Sequence, residues 1–487
     1  MSGGARPCRV AIIGAGFGGI GMAIKLKRSG VEDFVVLERA ADLGGIWRDN
    51  TYPGLTCDVP SHLYSFSFRP GSWTRPYPPR EEILGYLRTL VAESGLGPHL
   101  RFGAAVTAAA FDEASAAWEL SLDDGTAVRA TAVVCALGQL GRPFLPAIPG
   151  REEFTGPSWH SAEWRHEVDL AGQRVAVVGT GASAVQFVPE IAKVASRVDV
   201  YQRSAPYVLP KSNSPYGGVR RVMFTRSPAL RKADRLRTFL YGEILTSGLV
   251  VSPKLLAAPM LLWRRQLHAQ VTDPALRGKC VPDYLLGCKR VVFSSDWYPA
   301  LARPNVDLVT DPIERVSADG VVTADGVTHA ADVIVYGTGF QAGAFVPMPV
   351  RGLGGTLLQD SWRDGARAYL GITVTGFPNF FILYGPNTNL GSNSIIYMLE
   401  SQIGYVMGAL RALEAEGLSW LDVRQEAHDA FADWAQSASR KTVWESGCHN
   451  WYTGSSGRNV NNWPGYTFMY RYRVRRFDRP AYQATKA

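Results

Sequence analysis

Two glycine-rich turns carry the most readable chemistry in the chain. In RVAIIGAGFGG the glycines fall at Gly14, Gly16 and Gly19, after an apolar, β-branched run and before a helical pattern. Gly14 suits a tight turn, Gly16 lets backbone approach a pyrophosphate, and Gly19 permits close packing of a helix whose free N–H groups face the anion. Glu38 ends the next apolar run, at the distance where a carboxylate grips a ribose diol. About 165 residues later RVAVVGTGASA repeats the pattern with Gly179, Gly181 and Ala184. Its second apolar run ends differently, in Gln202 followed by Arg203 and Ser204. An acid at that place repels a 2′-phosphate and a guanidinium binds it, so the second turn predicts NADPH over NADH. Two such units with different ribose ends predict FAD in the first and NADPH in the second. Disulfide reductases need a redox-active cysteine pair beside the flavin. The chain has no CxxC or comparably close pair, which makes O2 the expected electron acceptor.

The elements that must hold these turns follow from periodicity. Each turn lies in a strand, turn, helix, strand order, the βαβ unit of nucleotide binding. The predicted fold class is α/β: two Rossmann-like dinucleotide-binding domains, for FAD and NADPH, with a mainly helical insertion in the second. Residues 1–145 form the start of the FAD domain, and Pro143, Pro146 and Pro149 favour the extended backbone of a linker over 146–154. The NADPH domain takes 155–212 and 283–374 around a basic, helical insertion at 213–282. Residues 375–487 return to complete the FAD domain, with a Gly/Asn turn ahead of a helix in GPNTNLGSNSIIYMLESQIGYVMGAL.

Composition limits the partners. The formal net charge is +8, yet basic residues are scattered, with local density at Arg220–Arg237 and Arg471–Arg479, which reads as solvated surface and not as a nucleic-acid site. Six cysteines in so long a chain indicate neither a disulfide framework nor a zinc site, so reduced, cytoplasmic thiols are expected. The opening residues lack a secretory pattern, and the most apolar span, ILTSGLVVSPKLLAAPMLLW, contains Pro253, Lys254 and Pro259, against an integral membrane helix.

Three further motifs carry a resemblance. GGIWRDNTYPGLTCD runs from Gly44 to Asp58. FTGPSWHSAEWR contains Phe154, Gly156, His160 and Trp164 in an FxGxxxHxxxW pattern, with Arg165 where that pattern continues in Pro or Asp. GCKRVVF contains Lys289 and Arg290. With the two glycine turns, these resemble the class B flavoprotein monooxygenases, and among them the type I Baeyer-Villiger monooxygenases, over nearly the whole chain.

The resemblance implies an NADPH- and O2-dependent enzyme that inserts one oxygen next to a ketone carbonyl, giving an ester or lactone. In this scheme a C4a-peroxyflavin is stabilised by Arg290, a cation that cannot surrender its proton to the anion, and Asp58 orients it. It places Gly45, Trp47, Asp58, Tyr64 and Val106 beside the flavin. Ser183, Gln186, Lys289 and Trp451 become a clamp on the nicotinamide nucleotide, with Trp451 on a loop whose Gly and Ser neighbours suit ordering on binding. His160 is read as a bracing residue at the connection between domains, not as a base. A small, lipophilic ketone is the expected partner. The alternatives are an S- or N-oxygenating flavin monooxygenase and a non-catalytic flavin/NADPH redox sensor.

Overall fold

The computed structural model describes residues 7–341, 343–448, 450–453 and 457–486. Cys8–Ile13 lies inside an eight-stranded sheet, parallel to Phe34–Leu37 on one side and to Ala127–Cys135 on the other. A strand covered on both faces needs apolar residues at successive positions, and Val10, Ala11 and Ile12 are fully buried. Val106–Asp112, Ala117–Leu122 and Ala127–Cys135 add an antiparallel meander. Far along the chain Phe380–Ile382 pairs in parallel with Ala127–Cys135, and the Ile395–Ala415 helix packs on the Phe17–Arg28 helix that follows the first glycine turn.

The boundary expected at residue 375 falls too late. Val350–Arg351 already pairs with the Val106–Asp112 strand, and Phe345, Val346 and Met348 share a core with Val133 and Phe380. A two-residue strand is too short to show a periodicity.

The second sheet has five parallel strands in the order Val306–Val309, Arg197–Tyr201, Arg174–Val178, Val333–Tyr336, Ser158–His160. Its edge strand corrects one expectation: within FTGPSWHSAEWR, read as a connection between domains, Ser158–His160 is a strand of this sheet. Gly156 is needed for the approach, since a Cβ there would lie 2.4 Å from the Asp332 carbonyl oxygen. Trp164 packs on Trp159 and Phe187, with ring centroids 5.8 and 5.3 Å apart. His160 is buried, its Nδ1 accepting the Ala162 N–H at 3.1 Å and its ring set against Phe340.

Between Tyr201 and Val306 lie helices at Gly218–Arg226, Pro228–Val250, Ala257–Gln270 and Pro274–Lys279. Two starts are capped as proline-led helices should be. Ser227 accepts the Leu230 N–H ahead of Pro228, and Asp273 accepts those of Ala275 and Leu276 ahead of Pro274. Among the described residues no helix is long and apolar enough to cross a membrane.

The expectation of six reduced thiols is also corrected. Cys288 and Cys448 form a disulfide, with Cα atoms 6.2 Å apart and a sequence separation of 160. Spacing rules register cysteines that are close along the chain, whereas here the fold brings two distant loops into bridging range. Cys8, Cys57, Cys135 and Cys280 are free.

Candidate active site

Both glycine turns are built on the same steric rule. Gly14 (φ +103°) and Gly179 (φ +109°) occupy the left-handed region, and a Cβ would meet the Ala136 carbonyl oxygen at 2.8 Å in the first and that of Gly337 at 2.6 Å in the second. Their N–H groups donate to Leu37 and Tyr201, at the ends of the neighbouring strands. At the third position a Cβ on Gly19 would lie 1.8 Å from the Gly14 carbonyl oxygen. Ala184 is tolerated in the second unit as a buried residue against Gly337.

Glu38 is buried at the end of Phe34–Leu37, accepting the Ala15 N–H at 2.8 Å, the Ala40 N–H at 3.0 Å and the Arg48 guanidinium at 3.0 Å. Gly16 and Gly45 face each other without side chains; a Cβ on Gly45 (φ +54°) would lie 3.4 Å from the Gly16 Cα. That is a cradle open to a pyrophosphate, and the residues present fit a flavin dinucleotide. Trp47 donates through Nε1 to the Tyr64 hydroxyl at 3.0 Å, and both rings are buried. Val106 begins the meander two residues after Ala104, whose N–H donates to the Glu38 carbonyl.

The ribose end of the second unit opens on a cavity of about 530 Å³ lined by Arg203, Ser204, Tyr284, Lys289 and Cys448. Lys289 donates to the Ser204 hydroxyl at 2.7 Å and lies 4.5 Å from the centre of the Tyr284 ring. Burial, and then the charge of Arg203, lowers the Lys289 ammonium pKa. Two cations, a hydroxyl and the Asp283 carboxylate thus line one cavity. Gln202 turns away and donates to the Lys279 carbonyl at 2.7 Å.

Arg290 donates to Asp58 in a half-buried ion pair whose side chains keep 33% and 27% of their surface exposed. Burial pushes the Asp58 carboxyl up, but the Arg290 charge and hydrogen bond together with the Lys211 charge outweigh it and hold it below the usual carboxylate range. The Asp58 charge in turn raises Arg290 against its own desolvation. The carboxylate is therefore ionised and the guanidinium charged at neutral pH.

Three groups beside this pair were missed in the sequence. Lys211 follows a proline in a segment that reads as a loop, yet it is buried, donates to the Thr56 hydroxyl at 2.6 Å and lies 5.2 Å from the centre of the Tyr77 ring. Tyr384, at φ +61°, and the buried Tyr452 lie near Arg290. The Tyr384 hydroxyl donates to Asn389 at 2.6 Å. A positive φ on a bulky residue was the one signal invisible in the sequence that marks Tyr384 as strained into place.

The expected nucleotide clamp is divided. Gln186 accepts the Thr56 N–H at 2.8 Å, and Ser183 lies beside the buried Tyr52 hydroxyl, so both set the helix after the second glycine turn against the Tyr52–Asp58 loop of the first unit. Gly54 (φ +78°) makes this close approach possible, since a Cβ would lie 2.7 Å from the Gln186 carbonyl oxygen. Trp451 points outward against Tyr452, with ring centroids 4.6 Å apart, while Tyr452 is buried. Gly454, Ser455 and Ser456, the small neighbours of Trp451, lie outside the described residues.

The chain resembles known proteins along its whole length. A family model described as pyridine nucleotide-disulphide oxidoreductase matches residues 11–217, a span holding both glycine turns. A Baeyer-Villiger monooxygenase of Streptomyces coelicolor is 44% identical, over 98% of this chain and 93% of that protein. Among solved structures, an oxidized steroid monooxygenase bound to NADP superposes with a TM-score of 0.87 at 29% identity, covering 99% of this chain and 100% of the other. The complex of OTEMO with FAD and NADP superposes at 0.86 with 26% identity and the same coverage. Paired glycine turns with unlike ribose ends, together with full-length similarity at this level, place the chain in the Baeyer-Villiger monooxygenase family, as an FAD-dependent monooxygenase that uses NADPH.

Proposed function

We propose that the protein converts a small, lipophilic ketone into an ester or lactone, with Arg290 as catalytic residue and Asp58 as the group that positions it. One atom of O2 enters between the carbonyl carbon and a neighbouring carbon; the other leaves as water, whose two hydrogens are matched by the hydride from NADPH and one proton. The observation carrying this reading is the charged, half-buried Arg290–Asp58 pair beside Tyr384 and Tyr452. Bound FAD, once reduced, supplies the activated oxygen.

Arg290 presents N–H donors to the negative charge that develops on the ketone oxygen, and it cannot neutralise that charge by giving up a proton. Asp58 keeps the guanidinium oriented. Glu38 suits the ribose of FAD, and Gly14, Gly16, Gly19 and Gly45 its pyrophosphate, with Trp47, Tyr64 and Val106 along the same cofactor. Gly179 and Gly181 suit the pyrophosphate of NADPH, Arg203, Ser204 and Lys289 its 2′-phosphate, and Ser183, Gln186 and Trp451 its nicotinamide half. The cytoplasm, where NADPH is regenerated, is the setting this reading implies.

The test is aerobic turnover of Arg290→Ala and Arg290→Lys on a panel of cyclic, aryl and linear ketones and sulfides, with product connectivity read by NMR. Continued slow NADPH oxidation without ester is expected. Ester formation at the wild-type rate would refute the role of Arg290, and sulfoxides as the main wild-type products would replace ketone oxygenation by heteroatom oxygenation.

A further inference from the structure

The helical insertion carries a surface that the proposed reaction does not use. Along Pro228–Val250 the usual arrangement is reversed: Thr238, Gly242, Glu243 and Thr246 are buried, while Leu236, Leu240, Tyr241 and Ile244 are 57%, 51%, 51% and 65% exposed. Leu236, Leu240 and Ile244 recur every fourth residue and so form one stripe along the helix.

This orientation is locked by polar bonds on the inner side. Glu243 accepts the Asn393 side-chain amide at 2.7 Å and the Thr467 N–H at 3.1 Å, and Thr246 shares a 2.7 Å hydrogen bond with Ser392. Rotating the helix to bury the leucines would carry Glu243 away and leave the buried Asn393 amide and Thr467 N–H without their acceptor. The apolar stripe therefore faces outward by construction.

Neighbouring elements also expose large apolar side chains. The next helix adds exposed Leu261 and Leu262, and Gly218–Arg226 buries none of its residues while exposing Val219 and Val222. The Thr467–Val474 helix, which begins at the Glu243 carboxylate, exposes Phe468, Met469 and Tyr472. Most of the exposed large hydrophobic side chains of the described residues fall in these two stretches.

Charge accompanies them. Residues 218–265 hold ten Lys and Arg against two acids, Asp234 and Glu243. Asp234 is tied to His62 and Arg237, and Glu243 is buried, so neither offers free negative charge outward; Arg235 likewise turns inward onto the His62 and Ser65 carbonyls, and eight of the ten cations are exposed. This excess equals the formal charge of the whole chain, +8, leaving the remainder neutral in sum. What reads in sequence as solvated basic surface is thus an apolar face framed by cations.

We propose that this face docks the protein on the surface of an anionic lipid bilayer. Aliphatic and aromatic side chains enter the boundary between headgroups and acyl chains, and the Arg and Lys heads reach lipid phosphates from flexible stems. A second copy of the chain is the poorer partner, because a two-fold contact would set two strongly cationic faces against each other. Attachment is peripheral, consistent with the lack of a described helix able to cross a membrane. The inference stands apart from the reaction chemistry and holds whichever substrate is oxygenated.

The test is flotation of the FAD-loaded, full-length protein with vesicles of phosphatidylcholine alone and of equal parts phosphatidylcholine and phosphatidylglycerol. The protein is expected to float with the mixed vesicles only, with binding reduced roughly tenfold or more by high salt. The double variants Leu240→Gln/Ile244→Gln and Arg220→Glu/Arg221→Glu are expected to keep flavin absorbance and NADPH oxidation while losing flotation. Wild-type protein that stays down with mixed vesicles, or floats equally with both, overturns the proposal. So does a wild-type dimer in sedimentation velocity that Leu240→Gln/Ile244→Gln converts to monomer, which would make the face a contact between copies.

Discussion

Arg290 and Asp58 stand 232 residues apart in the chain and meet as one hydrogen-bonded ion pair. Because Arg290 is carried by a segment just ahead of the Val292–Phe293 strand and Asp58 by the loop after Tyr52, the pair joins the two halves of the molecule. Asp58→Asn keeps the size of the side chain and removes the charge that orients the guanidinium. Product formed per NADPH consumed is expected to fall roughly 100-fold, the usual scale for one misdirected anion donor. Coupling equal to wild type, read by parallel product and NADPH assays, would show that Asp58 is a bystander.

Arg203 and Lys289 line the same cavity, with Ser204 bonded to Lys289. Arg203→Ala is expected to raise the KM for NADPH about 10- to 100-fold, as for loss of a charged hydrogen bond of about 1.5–3 kcal/mol, and to leave the KM for NADH nearly unchanged. Equal effects on both nucleotides would remove the 2′-phosphate assignment.

The Cys288–Cys448 bridge ties the segment leading to Lys289 and Arg290 to the loop that leads to Trp451. Alkylation of the unfolded but unreduced protein is expected to label four of the six cysteines. Reductant should lower stability by about 2–4 kcal/mol, read from denaturant midpoints, and should have no effect on Cys448→Ser. Labelling of all six would contradict the bridge.

Asp422 supplies a pH dependence of opposite sign to most carboxylates. Burial, set against hydrogen bonds from the Gly376 N–H and the Gln483 amide, pushes its carboxyl up to about 6. The folded protein then holds this proton more tightly than the unfolded chain, whose value is about 4. Its contribution is most favourable below the unfolded value and is lost as pH rises through about 6. The stability difference between wild type and Asp422→Asn should change by about 2–3 kcal/mol across that interval, measured by denaturation at a series of pH values. A constant difference would mean that Asp422 titrates normally.

The glycine turns were legible because each glycine answers a local steric demand that leaves few alternatives: Gly14 against the Ala136 carbonyl, Gly19 against the Gly14 carbonyl. The strand ends that carry Glu38 and Arg203 were legible too, since each closes an apolar run directly after a glycine turn and helix. Ser158–His160 and Val350–Arg351 were not, because strands of three and two residues hold too few positions for alternation and exist only through their partners. Lys211 was hidden among residues typical of a turn; only the chain crossing to Thr56 and Tyr77 buries it. Cys288 and Cys448, and Tyr452 beside Arg290, depend likewise on contacts between distant segments.

The two turns obey one geometric rule, yet one unit ends in Glu38 with Arg48 at its carboxylate and the other in Gln202 turned onto the Lys279 carbonyl beside Arg203. On the proposed assignment, grip and choice are written on different atoms. The phosphate cradle can stay untouched while a few strand-end side chains drift, so the redox currency this chain accepts is open to revision by small steps that never pass through a protein unable to hold a nucleotide.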